Sequence, residues 1–290
     1  MIIFFEGGRL GNQLFQYCGL RKIDSTGPIY IYGMQALKKY FSGLDIIKSN
    51  GLFDYLIRRI GKKRFKLISE KYKLIGFIKE VQVDNTFHFI KQPGFLKKIF
   101  YCDTAYFQSG NLINHNIAEK LHLNLVILKK ARHVISEKIG GHKNLIFVHI
   151  RRKDYLAFPS VEAPAVLALD FYEYCMKLMR EKYNSPYFIL MSDDLLWVNE
   201  NFSNQDDIFI SSESEEVDFA MMTLCRGGIL SASSFAWWGG YFSKITNPDG
   251  LFLAPKFWLG HAQKTWIPID SKAHWLHYVD PVTKNIEKTP

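Results

Sequence analysis

The run His149-Ile150-Arg151-Arg152-Lys153-Asp154 crowds ionisable side chains directly behind the apolar stretch Leu145–Ile150. Charges at the exit of a buried strand cost free energy unless they meet a charged ligand or one another. Alternation along an extended chain sends His149 and Arg151 to one face and Arg152 to the other. Guanidinium groups match the geometry of phosphate oxygens, so one chemistry this run can perform is the clamping of a diphosphate. The plainer reading is an Arg–Asp ion pair that ties a domain together. Both hold at once if Arg152 takes the structural role.

Three further stretches carry polar groups where a strand hands over to a helix. Gly7-Gly8-Arg9-Leu10-Gly11-Asn12-Gln13 follows the apolar start Ile2-Ile3-Phe4-Phe5, and Leu10, Leu14 and Cys18 fall on one helical face. A helix beginning among these glycines presents free backbone N–H groups, an anion site, or else makes a simple tight turn. Ser192-Asp193-Asp194 follows another apolar run and suits either a helix cap or a ligand hydrogen-bond acceptor. Ser233 and Ser234 open a third helix, where the hydroxyls suit a phosphate or ordinary N-capping. Trp237 and Trp238 just beyond are expected as core anchors rather than sugar platforms. The 15 aspartates include no D-x-D pattern, and two adjacent carboxylates alone make a poor magnesium cage, so no metal site is expected.

The elements that must position these residues are legible in the second half. Apolar runs at 145–150, 187–191, 207–211, 228–231 and 251–254 have the length and composition of buried parallel strands. Between them, Phe171, Tyr174, Cys175, Leu178 and Met179 keep helical spacing, with Asp170 placed as the cap and Glu173 three residues on. Val217, Ala220, Met221 and Leu224 predict a second helix closed by Gly227-Gly228. Strands alternating with helices mean a twisted parallel sheet, whose ligands bind beyond the carboxyl ends of the strands. Residues 40–100 are aromatic and basic without clear period. The expected architecture is α/β, with two Rossmann-like domains facing a cleft, 1–140 and 141–290, the boundary lying near the polar residues His142-Lys143-Asn144.

Composition narrows the class. The 290 residues are 48% hydrophobic and 15% aromatic, ample for a packed core and contrary to disorder. Four scattered cysteines encode neither a disulfide framework nor a zinc site, which fits a reducing compartment. No apolar run approaches the roughly 20 residues of a membrane span, and residues 1–8 do not read as a signal peptide. The net charge of +9 is lopsided: residues 1–145 carry 24 Lys and Arg against 10 Asp and Glu. The excess is densest at 58–79, where Arg58, Arg59, Lys62, Lys63, Arg64, Lys66, Lys71, Lys73 and Lys79 alternate with apolar residues. That stretch suits an anionic membrane surface or a solvated helix face; without a recognised motif, nucleic acid is not expected as a partner.

Taken together, the segments Gly7-Gly8-Arg9-Leu10-Gly11-Asn12-Gln13-Leu14-Phe15-Gln16-Tyr17, His149-Ile150-Arg151-Arg152-Lys153-Asp154-Tyr155 and Ser233-Ser234-Phe235-Ala236-Trp237-Trp238-Gly239 resemble the galactoside α-1,2-fucosyltransferases, glycosyltransferase family 11. Tyr106-Phe107-Gln108-Ser109, Leu169-Asp170-Phe171-Tyr172, Met191-Ser192-Asp193-Asp194 and Ala254-Pro255-Lys256 support the match in the same order. The resemblance implies a GT-B-like fold with an acceptor-side first domain and a nucleotide-sugar-binding second one. It further implies inverting, metal-independent transfer of L-fucose from GDP-fucose to the 2-hydroxyl of a terminal β-galactoside. No cofactor is expected. The setting implied is bacterial surface polysaccharide (O-antigen) synthesis, with cytoplasmic localisation and the inner face of the cytoplasmic membrane as a peripheral site, since the short start lacks the anchor of animal Golgi members. Carried over, His149 and Asp218 become guanine-side contacts and Arg151 the β-phosphate ligand. Gly8, Arg9, Gly11, Asn12, Gln13, Arg152, Ser192, Asp193, Ser233 and Ser234 complete the donor-binding set. Asp154, then Glu162, are the general-base candidates. One departure is Lys153, where the family usually has Gly. Rival readings are a transferase for another nucleotide sugar and a sugar-binding lectin.

Overall fold

Strand β1 (Ile2–Phe5) has four buried side chains and no polar face, so it belongs inside a sheet rather than at an edge. In the computed structural model, which describes residues 1–46, 52–83, 86–103, 106–109, 113 and 115–288, the chain forms two compact units, Met1–His122 and Leu123–Pro290.

The first unit continues through α1 (Leu10–Ile23), β2 (Ile29–Tyr32), α2 (Gln35–Tyr40), β3 (Phe41–Ser42), α3 (Leu52–Tyr72), β4 (Ile75–Val83), β5 (Thr86–Gln92), β6 (Leu96–Cys102), α4 (His115–Ala118) and β7 (His122–Leu123). Its main sheet has the order β2-β1-β6-β4-β5. The pairings are parallel except at the β4–β5 edge, which is an antiparallel hairpin. Helix α1 buries Leu10, Leu14 and Cys18 as their spacing predicts, and Tyr17 and Arg21 as well. Arg21 survives inside because its guanidinium donates to the carbonyl of Gly27 at 2.8 Å and pairs with Asp45. The missing period of residues 40–100 has a structural cause. Helix α3 is broken at Gly61 (φ 73°, ψ 160°), so its two halves do not share one continuous apolar stripe. The side chain of Arg58 lies outside the described residues.

The second unit runs α5 (Leu125–Val134), β8 (Leu145–Ile150), α6 (Leu169–Lys182), β9 (Tyr187–Ser192), α7 (Leu195–Phe202), β10 (Ile208–Ile210), α8 (Glu215–Leu224), β11 (Gly227–Leu230), α9 (Ser234–Thr246), β12 (Phe252–Pro255), β13 (His277–Val279) and β14 (Ile286–Lys288). The sheet order is β10-β9-β8-β11-β12-β13-β14, parallel until the antiparallel last strand. Numbered within this unit, the parallel strands read 3-2-1-4-5-6, the doubly wound order whose switch point lies between its first and fourth strands. Those are β8 and β11. All six residues of β8 are buried, and Phe171, Cys175 and Met179 of α6 close one side of the core.

The units divide at 122/123 rather than near 140. Helix α5 packs on α8, and its Ile127, Ala131 and Val134 are buried. The polar stretch read as a linker is tied into the second unit: His142 stacks on Tyr187 at 4.1 Å, and Asn144 bonds Asn184 and Arg226. Two further expectations are corrected. Ala168, not Asp170, holds the N-cap position of α6, and Asp170 pairs instead with Lys284 at 2.9 Å. Gly227-Gly228 does not close α8 but forms β11, with Cys225 at the helix end.

Glycine at 228 is required by close approach: a Cβ there would sit 2.2 Å from the Phe147 ring. Gly228→Ala is expected to destabilise the second unit by about 1–3 kcal/mol, the usual cost of overpacking. Thermal melting should register that loss, and Phe147→Leu in the same chain should recover part of it. A single Gly228→Ala variant that melts as the parent does would contradict this packing.

Candidate active site

The carboxyl ends of β8, β9 and β11 lie side by side, in register at His149↔Met191 and His149↔Leu230. His149 is 7% exposed, and its Nδ1 lies 2.7 Å from the Ser231 hydroxyl. This pair straddles the switch point. The backbone amide of Ser233, N-cap residue of α9, donates to the Ser231 carbonyl. Its own hydroxyl makes no capping bond, so the first turn, beginning at Ser234, has no side-chain cap at the positive end of the helix dipole. Such an end is suited to an anion.

Arg151 leaves the same strand. Its Nε donates to Asp154 at 2.7 Å, and another guanidinium nitrogen lies 3.1 Å from Asp193 Oδ2. Burial alone disfavours its charge, but the Asp154 hydrogen bond and the charges of Asp193 and Asp154 outweigh this and raise it above the usual arginine range. Arg152 diverges, as alternation predicts: it pairs with Asp194 at 3.2 Å, and its guanidinium lies 4.0 Å from the Trp197 ring centre. Asp193 also accepts the Arg152 backbone amide at 2.9 Å. Asp194 caps α7 by accepting from the Trp197 amide, and Ser192 accepts the Asp194 amide. Asp194 is therefore the cap of the pair, and Asp193 accepts from the chain's own backbone. Lys153 adopts ordinary right-handed backbone (φ −39°, ψ −71°), so no glycine is needed before the short 3-10 turn Asp154–Leu156. Tyr155 closes the group by donating to the Ala232 carbonyl at 2.7 Å.

Asp218 lies in the first turn of α8 and accepts from the Ser211 hydroxyl at 2.5 Å. Its neighbour Phe219 packs edge-on against Phe235, 5.1 Å away, and Phe235 lies 5.7 Å from the His149 ring. The starts of α8 and α9 and the end of β8 thus form one neighbourhood. Burial pushes the Asp218 carboxyl up to about 7, with Glu213 and Glu215 adding to the effect and Ser211 opposing it. Glu162 differs: it is exposed, and hydrogen bonds from its own amide and Ser160 hold its carboxyl below the usual range. Trp237 and Trp238 are buried in an aromatic cluster with Tyr241 and Trp275, as core anchors.

In the first unit, Gly8 takes the left-handed φ of +80° that the turn into α1 demands, and Arg9 is the exposed N-cap residue. Gly11 is buried in the first helical turn, and Asn12 accepts from Gln108 at 2.7 Å. Gln13 spends its amide on the chain itself, donating to the Gly8 carbonyl and accepting from the Leu37 amide. Gln16, absent from the expected set, holds both backbone groups of Gly7. Ser231 and Ser211 were also not anticipated. Their signal was only that each is the first polar residue after an apolar strand. Among the described residues no cluster of three or more His, Cys, Asp or Glu is placed to hold a metal ion.

The second unit is a doubly wound sheet with Arg151 and the start of α9 beyond the carboxyl ends of its central strands, the architecture of a GT-B-like fold. The family model for glycosyl transferase family 11 matches residues 55–271, and the chain belongs to that family. The chain is 26% identical to the O-antigen biosynthesis glycosyltransferase WbnK of Escherichia coli, over 93% of this chain and 98% of that one. It is 28% identical to an Escherichia coli alpha-1,2-colitosyltransferase, covering 87% and 90%. It is 32% identical to galactoside alpha-(1,2)-fucosyltransferase 2 of Rattus norvegicus, covering 85% and 70%. The crystal structure of the NodZ alpha-1,6-fucosyltransferase soaked with GDP-fucose shares the fold, with a TM-score of 0.50 at 12% identity over 100% of this chain and 99% of that one.

A carboxyl whose pKa rises on folding binds its proton more tightly in the folded chain. Its contribution to stability is full below the ordinary carboxylate range and is lost as pH climbs through the folded value, about 7 for Asp218. Asp218→Asn keeps an acceptor for Ser211 and removes the charge. It should melt above the parent at pH 8, with the gap closing at pH 5. Equal gaps at both pH values would show that Asp218 is not held protonated by its surroundings.

Proposed function

We propose that the protein transfers L-fucose from GDP-fucose, with inversion, to the 2-hydroxyl of a terminal β-galactoside in surface polysaccharide (O-antigen) synthesis. The observation that carries this reading is Arg151 at the exit of β8, whose neighbour in the sheet, β11, leads into the N-terminus of α9. The 1,2 linkage is common to the names of the colitosyl and fucosyl relatives; the sugar is what differs between them. The acceptor is proposed to be lipid-linked and met at the inner face of the cytoplasmic membrane. No helix among the described residues is long and apolar enough to cross a membrane, so that association is peripheral in this reading.

The acceptor hydroxyl attacks fucose C1 from the face opposite the leaving GDP, its proton passes to a carboxylate, and the C1–O bond breaks. The electron pair stays on the β-phosphate oxygen. Arg151 and the α9 amides oppose the charge growing there, the work that a divalent ion does in many transferases. His149 and Asp218 sit on the guanine side, where an ionised Asp218 accepts from the base. Asp154 is the proposed base because it is exposed and adjoins Arg151, whereas the hydrogen bonds that hold Glu162 low make it the weaker proton acceptor. Ser192 and Arg152 support this end of the site through the α7 cap. The glycine turn with Arg9 and Asn12 is assigned to donor binding on its motif and on the free amides at the start of α1.

An interaction made with charge that grows in the transition state lowers kcat when it is lost. Arg151→Ala should fold normally and lose about 100- to 1000-fold in rate. Arg151→Lys should recover little, because an ammonium lacks the guanidinium fork. Arg152→Ala should lose stability as well as rate, since its partners are Asp194 and Trp197. The test is nucleotide release from a panel of GDP-sugars with a galactoside acceptor, measured in EDTA, with melting curves for each variant. Preference for another sugar would favour the colitosyl-type reading, and Arg151→Ala with near-parental rates would sink the clamp.

A further inference from the structure

Much of the basic run 58–79 ends on one exposed face of the first unit, and that face is apolar as well as cationic. Beyond the break at Gly61, α3 presents Arg64, Leu67, Ile68, Lys71 and Tyr72 outward at helical spacing. Leu67 is 64% exposed and Tyr72 66%. Lys73 (φ 45°) turns the chain into Leu74 and β4. The turn between β5 and β6 lies against this corner: the Phe95 amide donates to the Lys73 carbonyl at 2.9 Å, and the Leu96 amide to the Leu74 carbonyl at 2.7 Å. Gly94 permits that contact, since a Cβ there would meet the Ile75 backbone at 2.3 Å. Phe95 is therefore held on a fixed turn with its ring 82% exposed.

Between residues 59 and 79 the only acid is Glu70. Lys66 is paired with Asp103 at 2.5 Å, but Lys63, Arg64, Lys71 and Lys73 are exposed around the apolar tips. We propose that this face docks on an anionic lipid bilayer, with Phe95, Leu67 and Tyr72 entering the boundary between headgroups and acyl chains and the four cations lying among the headgroups. Cations flanking apolar side chains are the pattern that binds such an interface. Nucleic acid would use the charge and the rings but has no place for Leu67, Ile68, Leu74 and Leu96. A second copy docking face to face would bring like charges together. The inference deepens the proposed membrane-borne acceptor by naming the surface that meets the membrane, and it rests on that reading for its setting alone.

The test is cosedimentation of the full chain, without substrates, with vesicles of phosphatidylcholine alone or with added phosphatidylglycerol. The parent should bind only the anionic vesicles, and less tightly as salt rises. One cation near such a surface is worth about a fivefold change in partitioning, so replacing Lys63, Arg64, Lys71 and Lys73 together by Ser should weaken binding by about several hundred-fold. Phe95→Ser should weaken it by about 10- to 100-fold, with melting curves confirming that both variants fold. Phe95→Trp should show a blue-shifted difference emission when anionic vesicles are added. Equal binding to both vesicle types, no binding to either, or an unshifted emission in the bound state would overturn the proposal. So would a dimer that Phe95→Ser dissociates. Transferase assays on a soluble acceptor are read separately, so failure of the enzymatic reading would leave the vesicle result standing.

Discussion

Arg151 is held between two carboxylates of unequal freedom, and the chemistry proposed for the second unit depends on that arrangement. Asp193, with a side chain 17% exposed, also fixes the Arg152 amide, so it cannot leave without undoing the strand exit. Asp154 is 53% exposed and opens a short turn, so water can replace its contact at little cost. A diphosphate brought to this guanidinium therefore has one fixed competitor and one exchangeable one. In the proposed mechanism, a diphosphate that displaces Asp154 from Arg151 would also release the proposed base, joining phosphate binding to base release in one event.

The rest of the sheet supports that point. A fully buried β8 fixes the direction in which His149 and Arg151 emerge. Ser231 orients the imidazole across the switch point, and Tyr155 ties the turn after β8 to the segment that follows β11. The aromatic contacts from His149 through Phe235 to Phe219 carry the same registration to α8, where Asp218 waits in a site dry enough to shift its titration into the neutral range. Arg152 plays the opposite part. Pointing away, it locks β8 to α7 through Asp194 and Trp197, so of the neighbouring arginines one is a brace and the other the proposed phosphate ligand.

Much of this was legible in the sequence because a strand covered on both faces is written as an unbroken apolar run. Residues 145–150 and 187–191 needed no alternation to be recognised, and the charged residues immediately after them are the ones proposed as the site. The first unit was harder: Gly61 splits α3, and the β4–β5 hairpin interrupts the alternation of strands and helices. The domain boundary was missed because His142 and Asn144, polar enough for a linker, find partners on Tyr187, Asn184 and Arg226 far along the chain. Asp170 was misread as a cap because its partner, Lys284, lies 114 positions away, beyond any local pattern. Ser231 was passed over for the same reason, being 82 residues from His149. Asp218 came from family resemblance alone; only the folded chain reveals its dry surroundings.

In the proposed mechanism Arg151 exchanges a carboxylate for a phosphate. The most direct measurement is a crystal structure of the protein with GDP bound. The β-phosphate should lie within hydrogen-bonding distance of the Arg151 guanidinium and the first amides of α9, with Asp154 turned away and Asp193 still on the Arg152 amide. GDP bound elsewhere, with both carboxylates still on Arg151, would contradict the account.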